Sequence, residues 1–322
     1  TVNSGSSANL IAFSSLTSHL HKEKAVKPGD EVITVAAAFH TTVNPIVQNG
    51  AIPVFVDVKI PTYNIDEELI EEAITKKTKA IMPVHWTGRV CNMDKILKIA
   101  KKYNLIVIED AAQSMGAYYK RRHAGTFGKI SAFSTHPLKN LNSLGDGGFI
   151  ITNEKKLYDK IKLYRNHGLK GRDNVEIIGV NSRLDSLHAE VLNFRLKRLK
   201  KIISRRLKNF NLYRKLIASK KVNITKDEKN ENNAYVMFIT LCEERDKLQK
   251  YLNKFNIIKK SKIAYFKGNW ILVCKKTIFP VSNRKYRFLY YKIGRKATRN
   301  DSADLSGCLS FRSSNGSWTW WE

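Results

Sequence analysis

Short runs rich in Val and Ile recur along the first half of the chain, at residues 31–35, 52–58, 79–84, 105–108, 130–134 and 149–152. Each is bounded by polar or turn-forming residues and is shorter than an ordinary helix, which predicts buried strands. Between them stand stretches whose apolar positions repeat every three or four residues, at 8–20, 66–74 and 93–103, which predicts helices. Alternation of the two periods predicts βαβ crossovers over a mostly parallel sheet, an α/β fold whose ligand sites gather at the carboxyl ends of its strands. From Leu184 onward Leu187, Val191, Leu196, Leu199 and Ile203 are separated by Arg and Lys, predicting one long amphipathic helix that links two domains. A polar stretch at 223–233, a strand at 234–241 and a helix at 243–255 are expected to follow.

The length of 322 residues is about twice the usual single-domain length of roughly 150, in keeping with two domains. With 43% apolar and 26% charged residues, 7 Pro and 17 Gly, the composition excludes a disordered or collagenous chain. No window reaches the roughly 18 uninterrupted apolar residues of a bilayer span, and residues 1–10 lack the basic start and apolar core of a secretion signal, so a cytoplasmic protein without a membrane role is expected. The chain starts at Thr1 inside what reads as a functional loop, so a missing N-terminal part is also expected. Cys91, Cys242, Cys274 and Cys308 are far apart with no CxxC pair, which argues against a metal site or a disulfide scaffold.

The net charge of +29 is unevenly placed. Residues 1–150 hold 17 Lys/Arg against 13 Asp/Glu, a net +4, and the remainder carries +25. That half could attract RNA, phosphates or anionic lipid, or its lysines could simply coat solvated helix faces; no RNP-like or zinc-finger pattern accompanies it. Beyond Lys260 there are 12 Lys/Arg against 3 Asp/Glu and a Ser-, Gly- and Trp-rich end without periodicity. Residues 259–322 are read as an unassigned basic tail, or as text translated out of frame, the second being preferred.

Three segments carry candidate chemistry. At 125–148, GTFGKISAFSTHPLKNLNSLGDGG, Lys139 stands between a strand ending at Ser134 and a glycine-rich turn. Partial desolvation there would lower its pKa and let the neutral amine attack a carbonyl to form a Schiff base; a phosphate-binding or ordinary surface lysine is the alternative. At 105–113, LIVIEDAAQ, a strand ends in Glu109 and Asp110, followed by Gln113. A buried carboxylate needs a cationic or hydrogen-bonding partner, such as a protonated pyridine nitrogen, although Asp is also a good helix N-cap. At 4–10, SGSSANL, small residues open a helix whose free amides and hydroxyls can bind an anion, or merely cap it. Together these supply a phosphate cradle, a carboxylate for a ring nitrogen and an amine for an aldehyde, the needs of pyridoxal 5'-phosphate.

These segments, with GDEVI at 29–33, the run at 38–58, TKAIMPVH at 78–85 and the stretch at 165–192, resemble the DegT/DnrJ/EryC1/StrS aminotransferases of nucleotide-linked keto-sugars over residues 1–258. The resemblance implies a fold-type I pyridoxal-phosphate enzyme with a large α/β domain at 1–184, a linker helix and the start of a smaller α+β domain at 185–258, and a homodimer. It implies that Lys139 binds the cofactor aldehyde and shuttles protons, that Asp110 pairs with the ring nitrogen and that Gln113 lies by the phenolic oxygen. It further implies that Ser6, Ser7 and Ser134 bind the phosphate, that Phe39 stacks on the ring, where a core Phe is the alternative, and that Asn181 reaches a neighbouring subunit's phosphate. His85, His136 and His167 match family motifs without an assigned role.

The related sugar 3-dehydratases carry histidine in place of the lysine, so Lys139 favours transfer of an amino group, with glutamate as expected donor, in amino-sugar synthesis for surface polysaccharide or antibiotics. Two departures stand out: family members carry further residues before the SGS motif, and a His-Tyr-Pro segment usually follows the region of Arg245 to Leu252, whereas residues 260–265 are unmatched here. A catalytically impaired chain that binds anionic partners such as RNA through its basic half is therefore the alternative expectation.

Overall fold

The structure, a computed structural model, describes residues 1–254 apart from 19–22, 24, 220 and 243. The expected tail at 259–322 and the departure at 260–265 lie outside the described residues. In chain order the elements begin with α1 (Gly5–Ser15), β1 (Glu31–Val35), α2 (Asn44–Gln48), β2 (Ile52–Val56), β3 (Thr78–Ile81), α3 (Met93–Lys102) and β4 (Ile106–Asp110). They continue with β5 (Tyr118–Tyr119), β6 (Arg122–His123), β7 (Ile130–Ser134), β8 (Gly148–Ile151), α4 (Lys155–Tyr164), β9 (Leu169–Lys170) and β10 (Asn174–Val175). The last are α5 (Ser186–Leu196), α6 (Leu199–Leu216), β11 (Val222–Ile224), β12 (Glu231–Asn232), β13 (Thr240–Cys242) and α7 (Arg245–Lys254).

Six strands form one sheet in the order β2-β1-β3-β4-β7-β8, parallel throughout except for the β7–β8 pair. Successive side chains on a strand point to opposite faces, and both faces are covered, which is why the strands read as nearly continuous apolar runs. Val32, Ala80, Met82, Ile108 and Ile130 pack with Ile11 and Phe13 of α1 and with Leu157 and Ile161 of α4 on one side. Ile33, Val35, Ile81 and Val107 pack with Met93, Ile96 and Ile99 of α3 on the other. Helix α3 starts where Asn92 accepts from the Lys95 amide, and its Met93, Ile96, Ile99 and Ala100 form the buried stripe that the spacing foretold.

Three expected elements differ. The helix at 66–74 is two short 3-10 turns, Glu67–Leu69 and Glu71–Ala73. Buried Glu67 accepts there from Lys59 Nζ at 2.7 Å and Asn92 Nδ2 at 3.1 Å, so a charged side chain occupies what the periodicity treated as an outer face. The single helix from Leu184 is two, α5 and α6, joined at Lys197 and Arg198. Leu192 and Leu199, on either side of that joint, both pack on Leu141, which holds the two helices to the body of the chain. No acidic residue occurs between Glu190 and Asp227, and Lys197, Arg198, Lys200, Lys201, Arg205 and Lys208 are exposed, so water rather than ion pairing solvates that charge. The strand at 234–241 shortens to β13, which pairs with β11, because residues 234–236 bond to a loop instead. Among the described residues no helix is long and apolar enough to cross a membrane.

Phe133 on β7 is fully buried and stacks on Phe149 with ring centroids 4.6 Å apart. Phe133→Ala is expected to destabilise the protein by about 3–5 kcal/mol, read from the denaturant midpoint. A loss below about 1 kcal/mol would contradict this packing.

Candidate active site

The site lies where the carboxyl ends of β4 and β7 meet the first turn of α1. Ser4 caps α1 by accepting from the Ser7 amide at 3.0 Å, and the Ala8 amide bonds the Ser4 carbonyl, which leaves the amides of Gly5 and Ser6 without a partner in the helix. Ser6 is exposed and Ser7 half-buried. A Cβ on Gly5 would stand 2.5 Å from Ser134 Cβ, and one on Gly148 would stand 2.6 Å from the Ser4 carbonyl oxygen. These glycines let the helix start that carries Ser6 and Ser7 close onto Ser134 at the end of β7.

Asp110 closes β4 and is buried. Its Oδ2 accepts from Asn9 Nδ2 of α1 at 2.9 Å and from the Thr42 hydroxyl at 2.6 Å, while among the described residues Oδ1 accepts only from the Ala112 amide at 3.1 Å. No helix follows Asp110, so the N-cap alternative does not hold. Asn9 and Thr42 were invisible as site residues in the sequence; the only signal was a polar residue, Asn9, among the buried Ala8, Ile11 and Ala12 of its helix.

Lys139 sits in the turn after β7, its amide bonded to the His136 carbonyl at 2.8 Å, and the His136 amide bonds Ser134 Oγ at 3.3 Å. Burial pushes the Lys139 amine below its ordinary value, and the charge of Asp110 partly offsets this. Among the described residues no carboxylate lies within ion-pair distance of its Nζ. Gln113 is buried, and its Oε1 accepts from the Thr87 amide at 2.9 Å, leaving its NH2 donors free of other partners among the described residues. Phe39 is 57% exposed, which removes the core alternative, and it directly precedes the turn His40–Thr42 that brings Thr42 to Asp110.

Asn181 is exposed and is joined by backbone pairing to Asn166. His167, with φ 58°, bonds the Val180 carbonyl in the same excursion. His85 lies inside the fold: the Cys91 amide donates to its Nδ1 at 3.2 Å, which puts the ring proton on Nε2, where it is donated to Glu109 Oε2 at 2.8 Å. Glu109 also accepts from the amides of Gly125, Phe127 and Gly128. Burial alone would raise its pKa; His85 and these amides outweigh that and hold the carboxyl below its ordinary value of 4.5.

With this geometry in view, the model of the DegT/DnrJ/EryC1/StrS aminotransferase family matches residues 1–270. The chain belongs to that family. It is 41% identical over 229 residues to dTDP-3-amino-3,6-dideoxy-alpha-D-galactopyranose transaminase of Aneurinibacillus thermoaerophilus, an overlap of 71% of this chain and 63% of that protein. It is 46% identical over 167 residues to dTDP-4-dehydro-2,6-dideoxy-D-glucose 3-dehydratase of Saccharopolyspora spinosa, covering 52% of this chain and 36% of that one. The chain spans less than two thirds of the length of either relative. Among solved structures, S. venezuelae DesV matches with a TM-score of 0.76 at 28% identity, over 93% of this chain and 85% of that one. The architecture is therefore that of the fold-type I pyridoxal-phosphate transferases.

Other matched structures hold pyridoxal phosphate or pyridoxamine phosphate. The residues of this DegT-family chain fit that group: an amine depressed by burial, a buried carboxylate with one oxygen only lightly bonded, and a helix start whose unbonded amides lie beside the serine hydroxyls. Because the folded-state pKa of Glu109 is depressed, its contribution is full above pH 4.5 and is lost as pH falls below 4.5 through the folded value. Glu109→Gln is expected to lower the melting temperature at pH 7 and to flatten its acid dependence. Parallel melting-temperature curves for parent and variant would contradict the arrangement.

Proposed function

We propose that the chain is the cofactor-bearing part of an aminotransferase that moves an amino group from L-glutamate to a nucleotide-linked keto-sugar, in amino-sugar synthesis for surface polysaccharide or antibiotics. The observation that carries this reading is Lys139: a partly buried amine with no ion-pair partner in the described structure, within the field of a fixed Asp110. A lysine, rather than the histidine of the related 3-dehydratases, supports transfer over dehydration.

Bound pyridoxal phosphate supplies an electron sink for the charge that develops at the donor's α-carbon. Lys139 Nζ, low in pKa, takes the α-proton from the donor as general base. Asp110, through the Oδ1 that Asn9 and Thr42 leave lightly bonded, keeps a proton on the ring nitrogen. Ser6, Ser7 and Ser134 hold the phosphate at the helix start, the Gln113 amide donates to the phenolic oxygen, and Phe39 covers the ring face.

Residues 1–184 form the cofactor-binding domain in this reading, and 185–258 the linker and the start of the smaller one. The protein works as a homodimer, in which Asn181 of one copy reaches the phosphate held by the other. Support for the second copy comes from the exposed apolar residues beside Asn181: Val175, Val180 and Ile178, the last 94% exposed.

A visible absorption spectrum of the purified chain with added pyridoxal phosphate tests the reading. The parent is expected to show a band that Lys139→Ala lacks and that L-glutamate bleaches, in a sample sedimenting as a dimer. A folded dimer with no lysine-dependent band would overturn it.

A further inference from the structure

Asn140, next in sequence to Lys139, is 2% exposed, and its Nδ2 donates to the Ala234 carbonyl at 2.6 Å across 94 residues of sequence. Ala234 belongs to a strap, residues 233–236, that lies where a longer strand was expected. On its other side the strap bonds a loop: the Ala234 amide donates to the Gly88 carbonyl at 2.8 Å and the Val236 amide to the Thr87 carbonyl at 3.0 Å. Thr87 is the residue whose amide holds Gln113 Oε1. The fit is close, since a Cβ on Gly88 would stand 2.9 Å from Ala234 Cβ and 3.0 Å from the Gln113 carbonyl oxygen.

Two of these residues adopt a backbone that side chains disfavour, Thr87 at φ 56° and Tyr235 at φ 49°. Such conformations persist where the surroundings over-determine them. Here the bonds to the strap do so, and α6 adds a third fastening: Arg206 Nη1 donates to the carbonyls of Tyr235 at 3.2 Å and Val236 at 3.0 Å. One short segment thus touches the lysine turn through Asn140, the glutamine loop through Thr87 and Gly88, and α6 through Arg206.

We infer that Asn140 is a positioning residue for Lys139, and that the strap at 233–236 sets the lysine turn and the Gln113 loop as a single unit. The inference rests on the aminotransferase reading for what that unit does, and on geometry for its existence. Loss of the Asn140 bond frees the turn that carries the amine and leaves the phosphate corner, built from α1 and the end of β7, as it was. Loss of Arg206 loosens the same unit from its far side.

The test follows formation of the Lys139-dependent band by stopped flow in the full chain, over a range of pyridoxal phosphate concentrations. Asn140→Leu keeps the side-chain size and removes the donor. It is expected to slow the maximal rate on the order of tenfold, the worth of one buried hydrogen bond, with the half-saturating concentration within about twofold of the parent. Arg206→Met is expected to slow the maximal rate in the same direction, and the double variant to fall short of the product of the two effects, as coupled sites do.

Parental maximal rates in both single variants would overturn the inference. So would a raised half-saturating concentration at unchanged maximal rate, which marks a damaged phosphate corner, or full additivity of the two effects. Amide hydrogen exchange of the cofactor-free chain provides an independent reading: Asn140→Leu is expected to speed exchange at residues 85–88, and parental exchange there would refute the coupling. A parent chain that forms no band but shows this exchange pattern would retire the aminotransferase reading and leave the strap standing.

Discussion

β4 ends in two adjacent carboxylates, both buried, and a buried carboxylate without partners costs several kcal/mol. Because neighbouring residues of a strand point to opposite faces, the two meet different surroundings. Glu109 turns into the core and is answered completely, by one imidazole and three backbone amides. Asp110 turns toward α1 and is answered incompletely: two side-chain donors share Oδ2, and one amide serves Oδ1. The first arrangement fixes the loop at 125–128 that leads into β7, and the second leaves Asp110 Oδ1 lightly bonded, as the proposed pairing with a ring nitrogen requires. Structure and chemistry are thus divided between the two faces of a single strand end.

The remaining parts of the site are brought in by close approach. Gly5 and Gly148 allow α1 to sit against the end of β7, which places hydroxyls and free amides beside the turn that carries Lys139. Among the described residues the amine of that lysine has no counter-ion in contact, and it feels Asp110 only at a distance. A direct ion pair would favour the charged form; separation with burial favours the neutral one. The strap at 233–236 then ties this turn to the loop that holds Gln113, so a segment late in the chain touches both sides of the site.

Much of this frame was legible in the sequence. β1 and β7 lie where the apolar runs placed them, because strands buried on both faces leave uninterrupted Val and Ile text. Asp110 and Ser134 stand at strand ends, where parallel sheets collect ligands. What was not legible depends on pairing across long separations. Asn9 and Thr42 meet Asp110 from 101 and 68 residues away, and Asn140 meets Ala234 across 94. None of these residues lies in a pattern that local periodicity can read. The single long helix failed for a related reason: its apolar spacing runs through Lys197 and Arg198, whereas the break follows from where Leu192 and Leu199 dock on Leu141.

The central claim is that Lys139 is an amine kept below its ordinary pKa by burial beside a fixed carboxylate. Its titration in the cofactor-free full chain, followed as the pH dependence of acylation at that one lysine by mass spectrometry, tests this most directly. The account predicts a midpoint below 10.5 in the parent and a lower one still in Asp110→Asn, since the aspartate's charge supports the protonated amine. A parental midpoint at or above 10.5 would show a solvated or ion-paired lysine and contradict the account.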